Sequence, residues 1–134
     1  MNIEFCNEVK ISYPASCGNA PKKVTLVNLY KAFANNDKKF LIENTSDKLV
    51  WNIIGKKKIT GRDEVVSLFY LYSQKGIKEI QIINVITHGN VAAVNGRLVF
   101  NDESSFAFCD VYNFSGFGKN AKIREVNSYL IKIS

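Results

Sequence analysis

Apolar residues recur at helical spacing in the first half of this chain and at every second position in its last third. Leu26, Leu29, Tyr30 and Phe33 fall at i, i+3, i+4 and i+7 and so share one helix face. They predict a helix over about 21–35, with Pro21 suited to its first turn. Asn35 and Asn36 interrupt it, and Asp37 is placed to cap a second short helix, roughly 37–44. Leu49, Trp51 and Ile53 then alternate with Val50, Asn52 and Ile54, which predicts a strand buried on both sides and ended by Gly55. A short return through Ile59 leads to Gly61. Thr60 and Asp63 form a variant capping box for a third helix, which carries Val65, Leu68, Phe69 and Tyr72 on one stripe and ends near Gly76.

Four strands follow, roughly 78–88, 91–100, 105–115 and 121–133, joined by the turns HGN, NDES and SGFGKN. Near the N-terminus, Val9, Ile11 and Tyr13 alternate with Lys10 and Ser12 as a short strand stopped by Pro14, and CGNAP (17–21) reads as a turn. Residues 1–20 are thus an accessory segment, either covering a mouth or adding an edge strand, ahead of a single domain over 21–134. Helices early and a strand meander late imply an α+β fold, with three helices packed on one face of a curved antiparallel sheet. Such a half-barrel is a cone whose floor is core and whose mouth holds a ligand.

Charge and cysteine content narrow the function classes. The net charge of +6 invites a nucleic-acid reading. Its lysines, however, punctuate turns and element ends, and only Lys56, Lys57 and Lys58 form a run, so a solvated basic surface is expected and no nucleic-acid partner. No apolar run reaches the ~18 residues of a membrane span. The opening MNIEFCNEVK has acids where a signal peptide has basic residues, so a cytoplasmic protein with no membrane partner is expected. Cys6, Cys17 and Cys109 are read as reduced thiols, although the spacing permits a Cys6–Cys17 bridge. One histidine, His88, without clustered ligands gives no metal site, and no cofactor motif is present.

The segment SFAFCDVYNF is the most informative. Period-two alternation puts Phe106, Phe108, Asp110, Tyr112 and Phe114 on one face. An ionised, unpaired acid on an aromatic face costs several kcal/mol (~2 or more). Asp110 is therefore either a site residue or a structural acid paired with Arg97, Arg124 or backbone.

Across residues 21–133, NLYKAFANNDKKFL, VWNIIGKKKITGRDEV, ITHGNVAAVNG and FCDVYNFSGFGKNAKIREVNSYLI resemble, in order and spacing, the nuclear transport factor two-like superfamily. That cystatin-like half-barrel superfamily includes the ketosteroid isomerases and the SnoaL-like cyclases. The resemblance implies that Asp110, in C-D-V-Y-N-F, occupies the position of the isomerases' oxyanion-hole acid. Their base aligns with Asn52 in W-N-I-I-G, which cannot accept a proton at neutral pH. Their helix tyrosine aligns with Leu29, one residue before Tyr30, so ketosteroid isomerase activity itself is not expected.

Asp110 is thus the candidate catalytic residue. Tyr30, Trp51, Asn52, His88, Phe108 and Tyr112 are candidate ligand-binding residues. A buried Tyr30 phenol needs a hydrogen-bond partner, and Asp110 is one candidate. Trp51 and Asn52 point to opposite faces of one strand, so only one can line the cone. His88 is either idle at a hairpin or an acid–base group at the mouth. The expected ligand is a small apolar or carbonyl-containing molecule, and the expected chemistry, if any, is isomerisation or cyclisation by proton transfer. The alternative is a non-catalytic binding or assembly module. The resemblance also implies a homodimer through the convex sheet face. The abundance of Asn, Lys and Ile suggests an AT-rich bacterial genome.

Overall fold

The structure, a computed structural model, describes residues 1–15 and 20–134. Cys17 and most of the CGNAP turn lie outside the described residues, and the Cys6–Cys17 pairing with them; Cys6 and Cys109 are free thiols. The elements run β1 (Asn2–Cys6), β2 (Val9–Tyr13), α1 (Pro21–Asn35), α2 (Lys38–Asn44), β3 (Thr45–Ile53), β4 (Lys57–Thr60), α3 (Arg62–Ser73), β5 (Ile77–His88), β6 (Val91–Phe100), β7 (Ser105–Phe114) and β8 (Ile123–Lys132). Among the described residues the strands form one unclosed sheet in the order β1-β2-β5-β6-β7-β8-β3-β4.

The meander β5–β8 is antiparallel, as its hairpins require. Two pairings, β2 with β5 and β3 with β8, are parallel, so the sheet is mixed rather than wholly antiparallel. Both follow from the helices. The chain leaves β2 at one side of the meander, crosses the concave face through α1 and α2, and enters β3 at the other side. Pro21 opens α1, and Asn36 ends it in a left-handed conformation (φ 53°) whose N–H reaches back to Ala32 and Phe33 carbonyls. Asp37 caps α2 by accepting from the Phe40 N–H at 3.1 Å.

Residues 1–20 add edge strands. The β1–β2 hairpin turns on Asn7 and Glu8, both left-handed (φ 51° and 68°), as a two-residue primed turn demands. Ile11 of β2 is fully buried in the main core beside Ile80 and Leu26. In β3, Leu49, Trp51 and Ile53 are buried while Val50 and Asn52 are only half-buried and Ile54 is exposed. That strand therefore buries one face, not both, because β3 is covered by α3 on its inner side alone.

Curvature has a local cause. The β5–β6 register slips between Ile82 and Asn84, and Ile82 there faces Gly96. A Cβ at Gly96 would lie 1.9 Å from the Gln81 carbonyl oxygen and 2.9 Å from the Phe108 ring, so only glycine lets the sheet fold inward here. At the hairpin end, Lys22 of α1 donates to the carbonyls of Gly89 (3.0 Å) and Phe117 (2.7 Å), fastening the helix across two turns. Phe114 and Ile123 fill this end as solid core. The space left over lies toward the other end of the meander.

Candidate functional site

Where α1, α3, β3 and the concave face of the meander diverge, they leave a cavity of about 130 Å³. Period two on β7 turns Phe108, Asp110, Tyr112 and Phe114 inward, and on β8 it turns Val126, Ser128 and Leu130 inward. Asp110 and Ser128 stand directly opposite each other in the β7–β8 register. Helical spacing on α1 brings Tyr30 and Phe33 to the same space, α3 contributes Leu68 and Phe69, and β3 contributes Trp51. The walls mix aliphatic and aromatic side chains: Phe69 stacks edge-on against both Phe33 and Trp51, with centroids 5.0 and 5.1 Å away.

One polar network interrupts this lining. The Tyr30 hydroxyl donates to Asp110 Oδ2 at 2.6 Å, and the Tyr112 hydroxyl donates to the Tyr30 oxygen at 2.8 Å. Trp51 Nε1 donates to Ser128 Oγ at 2.8 Å, and Ser128 in turn donates to Asp110. Every proton of the network points toward the carboxylate. Tyr30 has committed its only hydroxyl proton to Asp110, so Tyr112 must be the donor between the two phenols.

Asp110 is 8 % exposed, and its partners are neutral. The ion pairs Lys31–Glu4, Lys39–Glu43 and Lys78–Glu103 lie elsewhere. Arg97, exposed, donates to Ser105, and Arg124 is exposed as well, so the alternative reading of Asp110 as an acid paired with either arginine is not what the fold provides. Burial raises the Asp110 pKa from the ordinary 3.8 to about 6, against the opposing pull of the bonds from Tyr30 and Ser128. Burial also pushes both Tyr30 and Tyr112 upward, reinforced by the Asp110 charge. At neutral pH the site is therefore an ionised carboxylate with neutral phenols.

The candidate residues separate cleanly by position. Tyr30, Trp51, Phe108, Asp110 and Tyr112 line the cavity, with Leu29 beside Tyr30 on the same wall. Asn52 lies on the opposite face of β3 from Trp51, between Lys58 of β4 and Asn127 of β8, and does not reach the cavity. His88 is exposed at the β5–β6 hairpin, at the other end of its strand from the lining residue Ile80. Ser128, Phe33 and Phe69 were absent from the sequence candidates. Ser128 carried a readable signal: it alternates inward with Val126 and Leu130, a lone hydroxyl on an apolar face as Asp110 is a lone acid. Among the described residues no three His, Cys, Asp or Glu side chains gather to hold a metal, and no helix is long and apolar enough to cross a membrane.

The outer face of the sheet carries a shallow groove bordered by Ile86, Ala93, Asn95, Cys109, Tyr129 and Ile131. Ile86 and Ile131 are 62 % and 66 % exposed, and the buried Asn95 Oδ1 has no hydrogen-bond partner among the described residues.

No protein-family model and no curated protein matches the chain. Solved structures do. An NTF2-like protein of unknown function from Cytophaga hutchinsonii is 23% identical, aligned over 81% of this chain and 97% of its own, with a TM-score of 0.63. A SnoaL-like family protein from Agrobacterium tumefaciens is 16% identical over 80% and 95% of the two chains, with a TM-score of 0.64. An LEH-like epoxide hydrolase from M. tuberculosis is 18% identical over 80% of each chain, also at 0.64. The chain has the NTF2-like fold. Neighbours of unlike chemistry share it, so activity must be argued from the cavity itself.

Proposed function

We propose that residues 21–134 form a ligand-binding domain whose cavity holds a small, largely apolar molecule, and that its chemistry is proton transfer on a carbonyl compound, of the isomerase type. The observation that carries this reading is the buried Asp110 carboxylate, held by Tyr30 and Ser128 at the wall of a largely apolar cavity, with no cation beside it among the described residues. With a pKa of about 6, Asp110 is mostly ionised at pH 7 yet close enough to neutrality to take up a proton and return it. It serves as the base.

The carboxylate takes a proton from carbon next to the ligand's carbonyl, leaving an enolate, and gives it back at another position; the proton count is unchanged. While Asp110 is charged, it holds the Tyr30 proton. Once neutral it holds that proton less strongly, and the Tyr30 hydroxyl is free to turn toward the developing oxyanion. Surrounding rings exclude water and keep the base from being levelled by solvent. SnoaL-like neighbours make an isomerase-type reaction the reading to test first.

Exchange of the α-hydrogens of cyclohexanone in D₂O, followed by proton NMR, tests it. Wild type should accelerate exchange, and Asp110→Asn and Asp110→Leu should each lose about 10²–10⁴-fold of that acceleration. Exchange no faster than in the Asp110→Leu protein would defeat the catalytic reading.

The outer groove supports a second reading, assembly as a homodimer through the convex face. Exposed Ile86 and Ile131 flank an Asn95 oxygen that a partner's donor would satisfy. Sedimentation at micromolar concentration should give a dimer that Ile131→Glu converts to a monomer; a wild-type monomer removes this reading.

A further inference from the structure

Resting on the reading of the Asp110 cavity as the ligand site, we propose that its ligand carries a protonated amine: a small organic cation with an apolar body about the size of benzene.

Three features of the cavity converge on that chemistry. The first is hydrogen-bond polarity. Tyr112 donates to Tyr30, Tyr30 to Asp110, Trp51 to Ser128 and Ser128 to Asp110. All the protons of the network are spent inside it, and the groups left facing the cavity are lone pairs of Asp110, Tyr30 and Tyr112. In the resting network a ligand that only accepts hydrogen bonds finds no free donor; the Tyr30 proton reaches it only once Asp110 is neutral. A ligand that donates finds a carboxylate with acceptor sites to spare, since two donors occupy a group that can accept about four.

The second feature is charge. Asp110 is buried with phenol and alcohol partners only, and neither Arg97 nor Arg124 turns toward it. A buried carboxylate is stabilised most by a cation in contact, and none of the described residues supplies one at this wall. Lysines spread over turns give the chain a net charge of +6, but solvent screens them within about 8 Å, so the unscreened Asp110 sets the local sign.

The third is the walls. Phe33, Trp51, Phe69 and Phe108 present rings around the same space, and aromatic faces attract ammonium groups while repelling carboxylates. Size then sets the bound. At about 130 Å³ the cavity is slightly smaller than the ~150 Å³ that accommodates benzene in a protein interior. In an amino ketone the ammonium would take one Asp110 oxygen and leave the other facing the carbon beside the carbonyl, at the cost of a weaker base.

Matched probes separate charge from shape: benzylamine, benzyl alcohol, toluene and benzoate, titrated at pH 7.5 and followed by NMR shifts of the intact protein. Benzylamine should bind about tenfold or more tightly than benzyl alcohol or toluene, with benzoate weakest. In Asp110→Asn that advantage should vanish while toluene affinity stays unchanged. Tyr30→Phe keeps the acid but removes one of its donors and one facing lone pair; benzylamine should still bind it more tightly than benzyl alcohol, which keeps the test standing if Asp110→Asn fails to fold. Equal binding of benzylamine and benzyl alcohol overturns the cation assignment and leaves the cavity reading standing. No shift with any probe overturns both.

Discussion

Two carboxylate–tyrosine pairs lie about the first helix, and they behave oppositely. On the N-terminal hairpin, Glu4 accepts from the Tyr13 hydroxyl and from Lys31 of α1, whose ammonium also sits 4.7 Å from the Tyr13 ring centroid. In the cavity, Asp110 accepts from Tyr30 of the same helix, one residue earlier, with no cation beside it among the described residues. The Lys31 hydrogen bond, helped by Tyr13, holds Glu4 below the usual carboxylate range. Lys31 is pulled down by partial burial but raised on balance by its bond to Glu4. Asp110 moves the other way because burial outweighs its neutral donors. The same two functional groups thus make a structural pin where a lysine adjoins them near the surface, and a poised acid–base group where they are buried among aromatic side chains. Residues 30 and 31 point to different sides of one helix turn, about 100° apart, and that angle alone separates the two environments.

The largest consequence is in the pH dependence of stability. Between pH 3.8 and about 6 the folded protein holds a proton on Asp110 that the unfolded chain has released. Stability from this group is present below that window and is lost as pH rises through it. A rise of about two units corresponds to roughly 3 kcal/mol, an upper figure for a buried group. Asp110→Asn, neutral at every pH, should therefore gain on wild type as pH rises from 4 to 7 in chemical denaturation, and the two curves should run parallel above pH 7. A wild-type curve that climbs from pH 4 to 7 relative to the variant would mean that Asp110 is paired after all, as Glu4 is.

The contrast also marks what the sequence could reveal. Asp110, Phe108 and Tyr112 were legible because period two on β7 is unbroken, and Tyr30 because the α1 stripe is regular. The fold was legible from element order and the meander. Asn52 was misplaced as a ligand contact because Trp51 and Asn52 sit between apolar neighbours on both sides, so alternation there cannot say which face is inward. His88 was a candidate by chemistry, not by pattern. For Ser128 the alternation with Val126 and Leu130 marks the inward face, but serine is ordinary in a strand, and its place opposite Asp110 is a matter of register that local pattern does not carry. Strand β1 went unread because Ile3 and Phe5, its apolar positions, face solvent. The parallel pairings depend on the path of the helices across the sheet, and no local pattern encodes that.

The smallest effect is expected at the pin. Glu4 is mostly hydrated and the Lys31 side chain is partly exposed, so solvent already satisfies much of what each gives the other. Glu4→Gln should destabilise by about 1 kcal/mol or less at low salt, and the loss should shrink further near 1 M salt as the pair is screened. Because the Glu4 pKa is lowered, its contribution is present at neutral pH and is lost as pH falls through the acid range, the reverse of Asp110. Denaturation of Glu4→Gln at pH 3 and pH 7 reads both signs at once. Equal stability of variant and wild type at pH 3, with a small gap at pH 7, is the expected pattern. A gap that survives both acid and high salt would show that Glu4 acts through its uncharged contacts rather than through charge, and the two pairs would then differ in less than their counter-ion.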